Sequence, residues 1–141
     1  MAGLGNITFY ADDPVRLAHF WSDVFGYPKA EFDGELREML LANGLTDDDL
    51  AHRGLAEDPA GVGPRLFFHH ARTPKTGRNR IHLDIAATPG RRPTPEELDA
   101  EKDRLVALGA SVVRLVEQTW GPWAERYYQL QDPEGNEFCL Q

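Results

Sequence analysis

Apolar positions recur along this chain with two different spacings, and the switches between them lay out its elements. From Asn6 to Ala11, the residues Ile7, Phe9 and Ala11 alternate with Asn6, Thr8 and Tyr10, which is the period of a strand. Asp13 followed by Pro14 reads as an N-cap with proline in the first helical position. Leu17, Phe20, Trp21 and Val24 then repeat at helical spacing as far as Gly26, a C-cap. Tyr27 to Phe32 predicts another strand. Leu36, Met39, Leu40 and Ala42 predict a short helix ending at Gly44, and Thr46 caps a further turn over the acidic run Asp47 to Asp49. Asp58-Pro59-Ala60-Gly61 is turn chemistry, and Arg65 to Ala71 a strand.

The second half repeats this grammar. In Arg80 to Ala86, Ile81, Leu83 and Ile85 form one face of a strand, while Arg80, His82 and Asp84 form the other. Thr94-Pro95-Glu96-Glu97 is a capping box with proline at its start. The helix it opens runs to about Leu108, burying Leu98, Leu105 and Leu108, with Gly109 as its cap. Ser111 to Glu117 and Ala124 to Gln131 predict strands around a loop holding Trp120, Gly121, Pro122 and Trp123. Asp132 to Asn136 is a tight turn, and Glu137 to Leu140 the last strand.

Ile7 and Ile81, Asp58 and Asp132, and Gly61 and Gly135 are each 74 positions apart. That offset superimposes the oily faces of the two first strands and also their polar faces, setting Asn6 with Arg80, Thr8 with His82 and Tyr10 with Asp84. The expected fold is therefore α+β. Two βαβββ modules in tandem, about 4–72 and about 78–141, make one domain over 1–141, with a cupped mixed sheet and helices on its outer face.

Charge narrows the partners. A net charge of −8 argues against nucleic acid, although Arg72, Lys75, Arg78 and Arg80 make one loop locally basic and able to steer a small anion. The single cysteine, Cys139, excludes an intrachain disulfide. With no signal-peptide run and no apolar stretch near the roughly 20 residues of a membrane span, a cytoplasmic protein is expected.

The segments ITFYADDPVRLAHFWSDVFGY, NRIHLDI, VALGASVV and DPEGNEFCL resemble the landmarks of glyoxalase-like domains of the vicinal oxygen chelate superfamily, in its bleomycin-resistance-like branch. The resemblance covers nearly the whole chain, with Gly34 to Gly63 the least typical part. It implies a homodimer with a small ligand or a divalent metal in the cup. It also implies metal ligands on the first strand of each module and on a last strand. The second-module histidine matches His82. The first-module ligand falls at Asn6 or Thr8, neither a usual metal ligand, and the last-strand glutamate falls at Cys139, with Glu137 two residues earlier and His70 a further candidate. The ligand set read this way is incomplete, which disfavours a metal and leaves His82 as its best single candidate.

Two functions follow. One is a glyoxalase-like enzyme doing isomerase, lyase or transferase chemistry on a small metabolite. His82 would be its acid/base, since an imidazole suits proton transfer near neutral pH, with Asp84 and Tyr10 assisting. The other is a drug-sequestering protein without chemistry. Asn6, Thr8, His70, Trp120, Trp123, Glu137 and Cys139 are the expected ligand-binding positions in either case. Residues two apart on a strand stand about 7 Å apart, so Asp84 need not touch His82 and is equally suited to pair with Arg80 or Lys75.

Overall fold

A computed structural model describes residues 1–141. The chain divides into two compact units, Met1–Pro74 and Lys75–Gln141.

The first unit runs β1 (Ile7–Ala11), α1 (Pro14–Phe25), α2 (Gly34–Ala42), α3 (Asp47–Ala51), β2 (Arg53–Ala56) and β3 (Leu66–His70). Its sheet has the order β1-β3-β2, with β1 parallel and β2 antiparallel to β3. The Asp13 carboxylate accepts from the Arg16 amide to start α1, and Gly26, at φ 71°, stops it. The buried stripe Leu17, Ala18, Trp21 and Val24 then packs on the sheet face that carries Ala11, Leu66 and Phe68. Phe9 stacks on Phe68 at 5.3 Å and meets Trp21 at 5.6 Å. The helix comes so close to β2 that a Cβ on Gly54 would collide with the Pro14 carbonyl oxygen and lie 2.7 Å from the Ala18 Cβ. That approach is the reason for glycine here.

Two expectations for this unit fail. Tyr27 to Phe32 is not a strand. Tyr27 stacks back on Phe25 at 5.3 Å, Lys29 pairs with Asp23 at 2.9 Å, and Pro28 has no amide to offer a ladder. The strand count of the first unit is therefore three rather than four. One of the three, β2, has no alternation to announce it and is defined by its pairing with β3. The helix from Gly34 is present and Thr46 does cap α3, with Asp49 closing the capping box.

The second unit runs β4 (Leu83–Ile85), α4 (Pro95–Leu108), β5 (Ser111–Trp120), β6 (Trp123–Gln131) and β7 (Glu137–Leu140), the expected strand–helix–three-strand order. Its sheet order is β4-β7-β6-β5. The β4–β7 pair is parallel and the others antiparallel, and a bulge between Val112 and Arg114 interrupts β5. Thr94 and Glu97 cap α4 reciprocally. Leu98 and Leu105 are buried, as are Ile85, Leu130, Phe138 and Leu140 of the sheet. Leu108 is only half-buried.

The opening strand of this unit is shorter than its alternation suggests. Residues 80–82 lie outside it and Ile81 is 80% exposed. The preceding loop is tied down instead. The Asn79 amide donates to Glu137 at 2.9 Å, and Lys75 pairs with the same carboxylate at 3.4 Å, so the ladder begins only where Leu83 meets Phe138.

The repeat is real in its hydrogen bonding but does not keep one offset. The Ala71 amide donates to Ala11 as the Gln141 amide donates to Ile85. Ala11 and Ile85 are 74 apart, whereas Ala71 and Gln141 are 70 apart. No helix is long and apolar enough to cross a membrane.

Candidate functional site

The chemistry gathers where β4 runs beside β7. Asp84 and Cys139 are register partners across that parallel pair, so their side chains leave the sheet on the same side. Leu83 and Ile85 point to the other side, with Phe138 and Leu140. His82 precedes β4 by one residue. Because the pleat does not hold it, its ring folds toward Asp84, with Nε2 3.2 Å from Oδ1. The 7 Å spacing of an ideal strand therefore does not apply, and Asp84 pairs with His82 rather than with Arg80 or Lys75. The donor atoms of His82, Asp84 and Cys139 all lie within 4.8 Å of one another. The His82 and Asp84 side chains are each half exposed, while Cys139 is half-buried.

Burial and the neighbouring Asp84 carboxylate, which accepts from the thiol, push Cys139 up from 9.0 to about 11. A thiol shifted that way stays protonated near neutral pH, so Cys139 is a poor nucleophile as it stands.

The same sheet face forms one side of a groove of about 420 Å³, lined among others by Arg78, His82, Arg114, Gln129, Glu137 and Cys139. Alternation places them there: Gln129 and Gln131 oppose Cys139 and Glu137, while Tyr128 and Leu130 turn to the face covered by α4. The Arg114 Nε donates to the Gln129 Oε1 at 2.8 Å, and Arg78 has no hydrogen-bonded or ionic partner. Burial pushes the Glu137 carboxyl upward, but the Asn79 amide, its own amide and the Lys75 ammonium outweigh it and hold the group below the usual glutamate range. Glu137 thus lines the groove while anchoring the loop before β4.

A larger hollow of about 570 Å³ lies beside the start of α4, but its cations are already engaged. Arg91 pairs with Glu97 at 2.5 Å, Arg92 donates to the Ala124 carbonyl, and Arg126 binds Glu117 and Asp99. The cluster of His82, Asp84 and Cys139 lies beside the smaller groove.

The remaining expected positions are spread out. Trp120 and Trp123 pair across the two-residue Gly121-Pro122 turn that joins β5 to β6. They stack at 5.4 Å and are 66% and 59% exposed. Trp123 is six residues along β6 from Gln129, about 20 Å, so the pair does not line the groove. In the first unit Asn6, Thr8 and Tyr10 are exposed, and Tyr10 tilts against His69 at 6.0 Å. Register sets His69, not His70, on the face of Thr8 and Tyr10. His70 lies 4.3 Å from His52, whose Nδ1 is 3.2 Å from Asp48.

Sequence reasoning did not single out Arg78, Arg114 or Gln129 as groove residues. The register that brings Arg114 to Gln129 is the one set at the Trp120–Trp123 pair, and the strands expected from sequence, ending at Glu117 and beginning at Ala124, stop short of that pair.

No curated protein matches the chain. Among solved structures it is similar to a mutant of the fosfomycin resistance protein FosX from Listeria monocytogenes, complexed with Mn(II) and 1S,2S-dihydroxypropylphosphonic acid. The identity is 18%, covering 100% of this chain and 92% of that one, with a TM-score of 0.64. A glyoxalase/bleomycin resistance protein/dioxygenase family enzyme from Burkholderia phytofirmans is 17% identical, over 99% of this chain and 97% of that one, at a TM-score of 0.62. A glyoxalase/bleomycin resistance protein from Albidiferax ferrireducens is 18% identical, over 97% and 95%, at 0.54. At these identities the likeness is one of fold. The family model of the glyoxalase-like domain matches residues 6–141, so the chain belongs to the glyoxalase-like family.

Proposed function

We propose that this protein binds a small, oxygenated, acidic metabolite in the groove on the second unit's sheet and acts on it by isomerase, lyase or transferase chemistry centred on His82. The observation that carries the reading is the convergence of His82, Asp84 and Cys139 within 4.8 Å beside that groove. Arg78 supplies the attraction for an acidic group, because its guanidinium is not spent on a protein carboxylate. With Nε2 turned to Asp84, the His82 ring offers Nδ1 for proton exchange with the bound molecule, and the carboxylate holds the ring's orientation. Cys139 contributes shape and a weak donor rather than a nucleophile.

The family resemblance also implies a divalent cation, and here the donors suit one. Asp84 joins His82 and Cys139 to make a nitrogen, oxygen and sulfur set of the kind zinc accepts. Such an ion, when bound, would polarise an oxygen of the metabolite as a Lewis acid.

The test is a thermal-shift screen of the full chain against small carboxylates, phosphonates and thiol adducts. We expect at least one acidic compound to raise the melting temperature, and His82→Ala and Arg78→Ala to abolish or reduce that rise while leaving the unliganded melting temperature within a few degrees. A response that survives in both variants would rule the groove out as the binding place.

A second reading, a sequestering protein without chemistry, is favoured by the stacked and exposed Trp120–Trp123 pair, a ready platform for a flat aromatic or cationic compound. Ligand-induced tryptophan fluorescence change that Trp123→Ala removes and His82→Ala does not would select this reading over the first.

A further inference from the structure

We infer that the first unit carries a second, separate binding site, for a free α-amino acid with an apolar side chain, in the hollow between α1, α3 and β2. The hollow measures about 290 Å³. That is the lower end of the roughly 300 to 1,000 Å³ in which small-molecule sites fall, so it suits a small metabolite and not a cofactor. Its floor is apolar: Val15 and Ala18 of α1, Phe32, Leu50 of α3 and Leu55 of β2. Three polar groups on its wall have bonding capacity left over. Glu31 and Arg53 form no hydrogen bond and no ion pair, with each other or with any neighbour. Asp49, which feels the Arg53 charge, already accepts from the Thr46 amide and hydroxyl, both at 2.8 Å. The other charged groups of the wall are paired, Arg37 donating to Asp47 at 2.5 Å. The third group is His19, whose Nε2 is closed off from solvent and has no hydrogen-bond partner.

One free carboxylate and one free guanidinium over an apolar floor call for a ligand with charge of both signs. A plain acid is repelled by Glu31 and a plain amine by Arg53. A zwitterion satisfies both: its carboxylate pairs with the Arg53 fork, its ammonium with Glu31, and its side chain covers the floor. His19 lines the same hollow and is only half-buried, so a change of rotamer brings its unpaired nitrogen to the bound molecule. The site is built by the stretch of sequence that fits the family resemblance least. Gly34 to Gly63 supplies Leu50, Arg53 and Leu55, and the close approach at Gly54 holds β2 against α1. No residue of this hollow lines the groove beside His82, so the two sites can be tested apart.

The full chain is titrated calorimetrically with L-valine, L-leucine and L-phenylalanine. The best binder is then compared with the same molecule lacking its amino group and lacking its carboxyl group. We expect one equivalent of at least one amino acid to bind and to raise the melting temperature. Each singly charged form should bind at least about tenfold more weakly, as the loss of one charge-assisted pair requires. Arg53→Gln and Glu31→Gln should each weaken amino-acid binding by at least about tenfold. Both side chains are exposed, so neither change disturbs the core. Glu31→Gln should also narrow the gap between the amino acid and the plain acid, because the repelling carboxylate is gone. In side-chain magnetic resonance the His19 ring signals should move with the amino acid and those of His82 should not. Absence of heat and of a thermal shift with all three amino acids at millimolar concentration overturns the inference. So does a plain acid that binds as tightly as the amino acid, affinity that is undiminished in both variants, or an amino acid that moves His82 and leaves His19 in place.

Discussion

The two parallel strand pairs, β1 with β3 and β4 with β7, are alike on one face and different on the other. On the helix-covered face both bury apolar side chains: Ala11, Leu66 and Phe68 in the first unit, Ile85, Phe138 and Leu140 in the second. On the opposite face the first pair carries Thr8, Tyr10 and His69, and the second carries Asp84 and Cys139 with His82 just before Asp84. Alternation separates the two faces, so a change on the one away from the helix leaves the buried one untouched. The buried faces can therefore stay alike in the two units while the opposite faces carry different polar groups.

The comparison can be strained first where the units are alike. Phe68→Ala and Phe138→Ala each remove a fully buried ring from equivalent places, and each should cost about 3 to 5 kcal/mol in chemical denaturation. Unequal losses would mean that the two buried faces are not equivalent.

A smaller effect separates the units. Gly54→Ala forces a methyl group into α1 at Pro14 and Ala18, and should cost about 1 to 3 kcal/mol. A neutral result would mean that α1 lies further from β2 than the structure has it.

Smaller again are the capping boxes, one in each unit: Thr46 with Asp49, and Thr94 with Glu97. Thr94→Ala should cost about 1 kcal/mol in denaturation followed by far-ultraviolet circular dichroism. The weakest effect is one of pH. The hydrogen bond from Arg91, then the Thr94 amide, hold the Glu97 carboxyl near 2 instead of 4.5. A carboxylate depressed on folding stabilises the protein above its unfolded value and loses that contribution as the pH falls through the folded one. Glu97→Gln should therefore melt below the parent chain at pH 7, and the gap should close between about pH 4.5 and pH 2. A gap that persists unchanged in acid would count against the Arg91–Glu97 pair.

Much of this architecture was legible because its signals are local. Asp13-Pro14 and Thr94-Pro95-Glu96-Glu97 each declare a helix start within four residues, and both helices begin there. Strands were legible only in part, since pairing completes them. Arg53–Ala56 becomes a strand because β3 lies beside it, and Tyr27 to Phe32 fails to become one for want of a partner. The candidate site divides in the same way. The polar face of Arg80 to Ala86 could be read from alternation. The His82–Asp84 contact could not, because it depends on His82 lying one residue outside the ladder. Nor could the neighbourhood of Cys139, which is set by a register between strands more than fifty residues apart in sequence.

The proposed site puts His82 at the centre of the groove on the second unit's sheet, on the face opposite Ile85, Phe138 and Leu140. The chain's five histidines allow a direct test. Side-chain magnetic resonance can follow His19, His52, His69, His70 and His82 separately while zinc chloride, and then the acidic compound with the largest thermal shift, is added to the full chain. The His82 ring signals should move in both titrations while the other four stay in place. Movement of His52 and His70, or of His69, with His82 unchanged would contradict it.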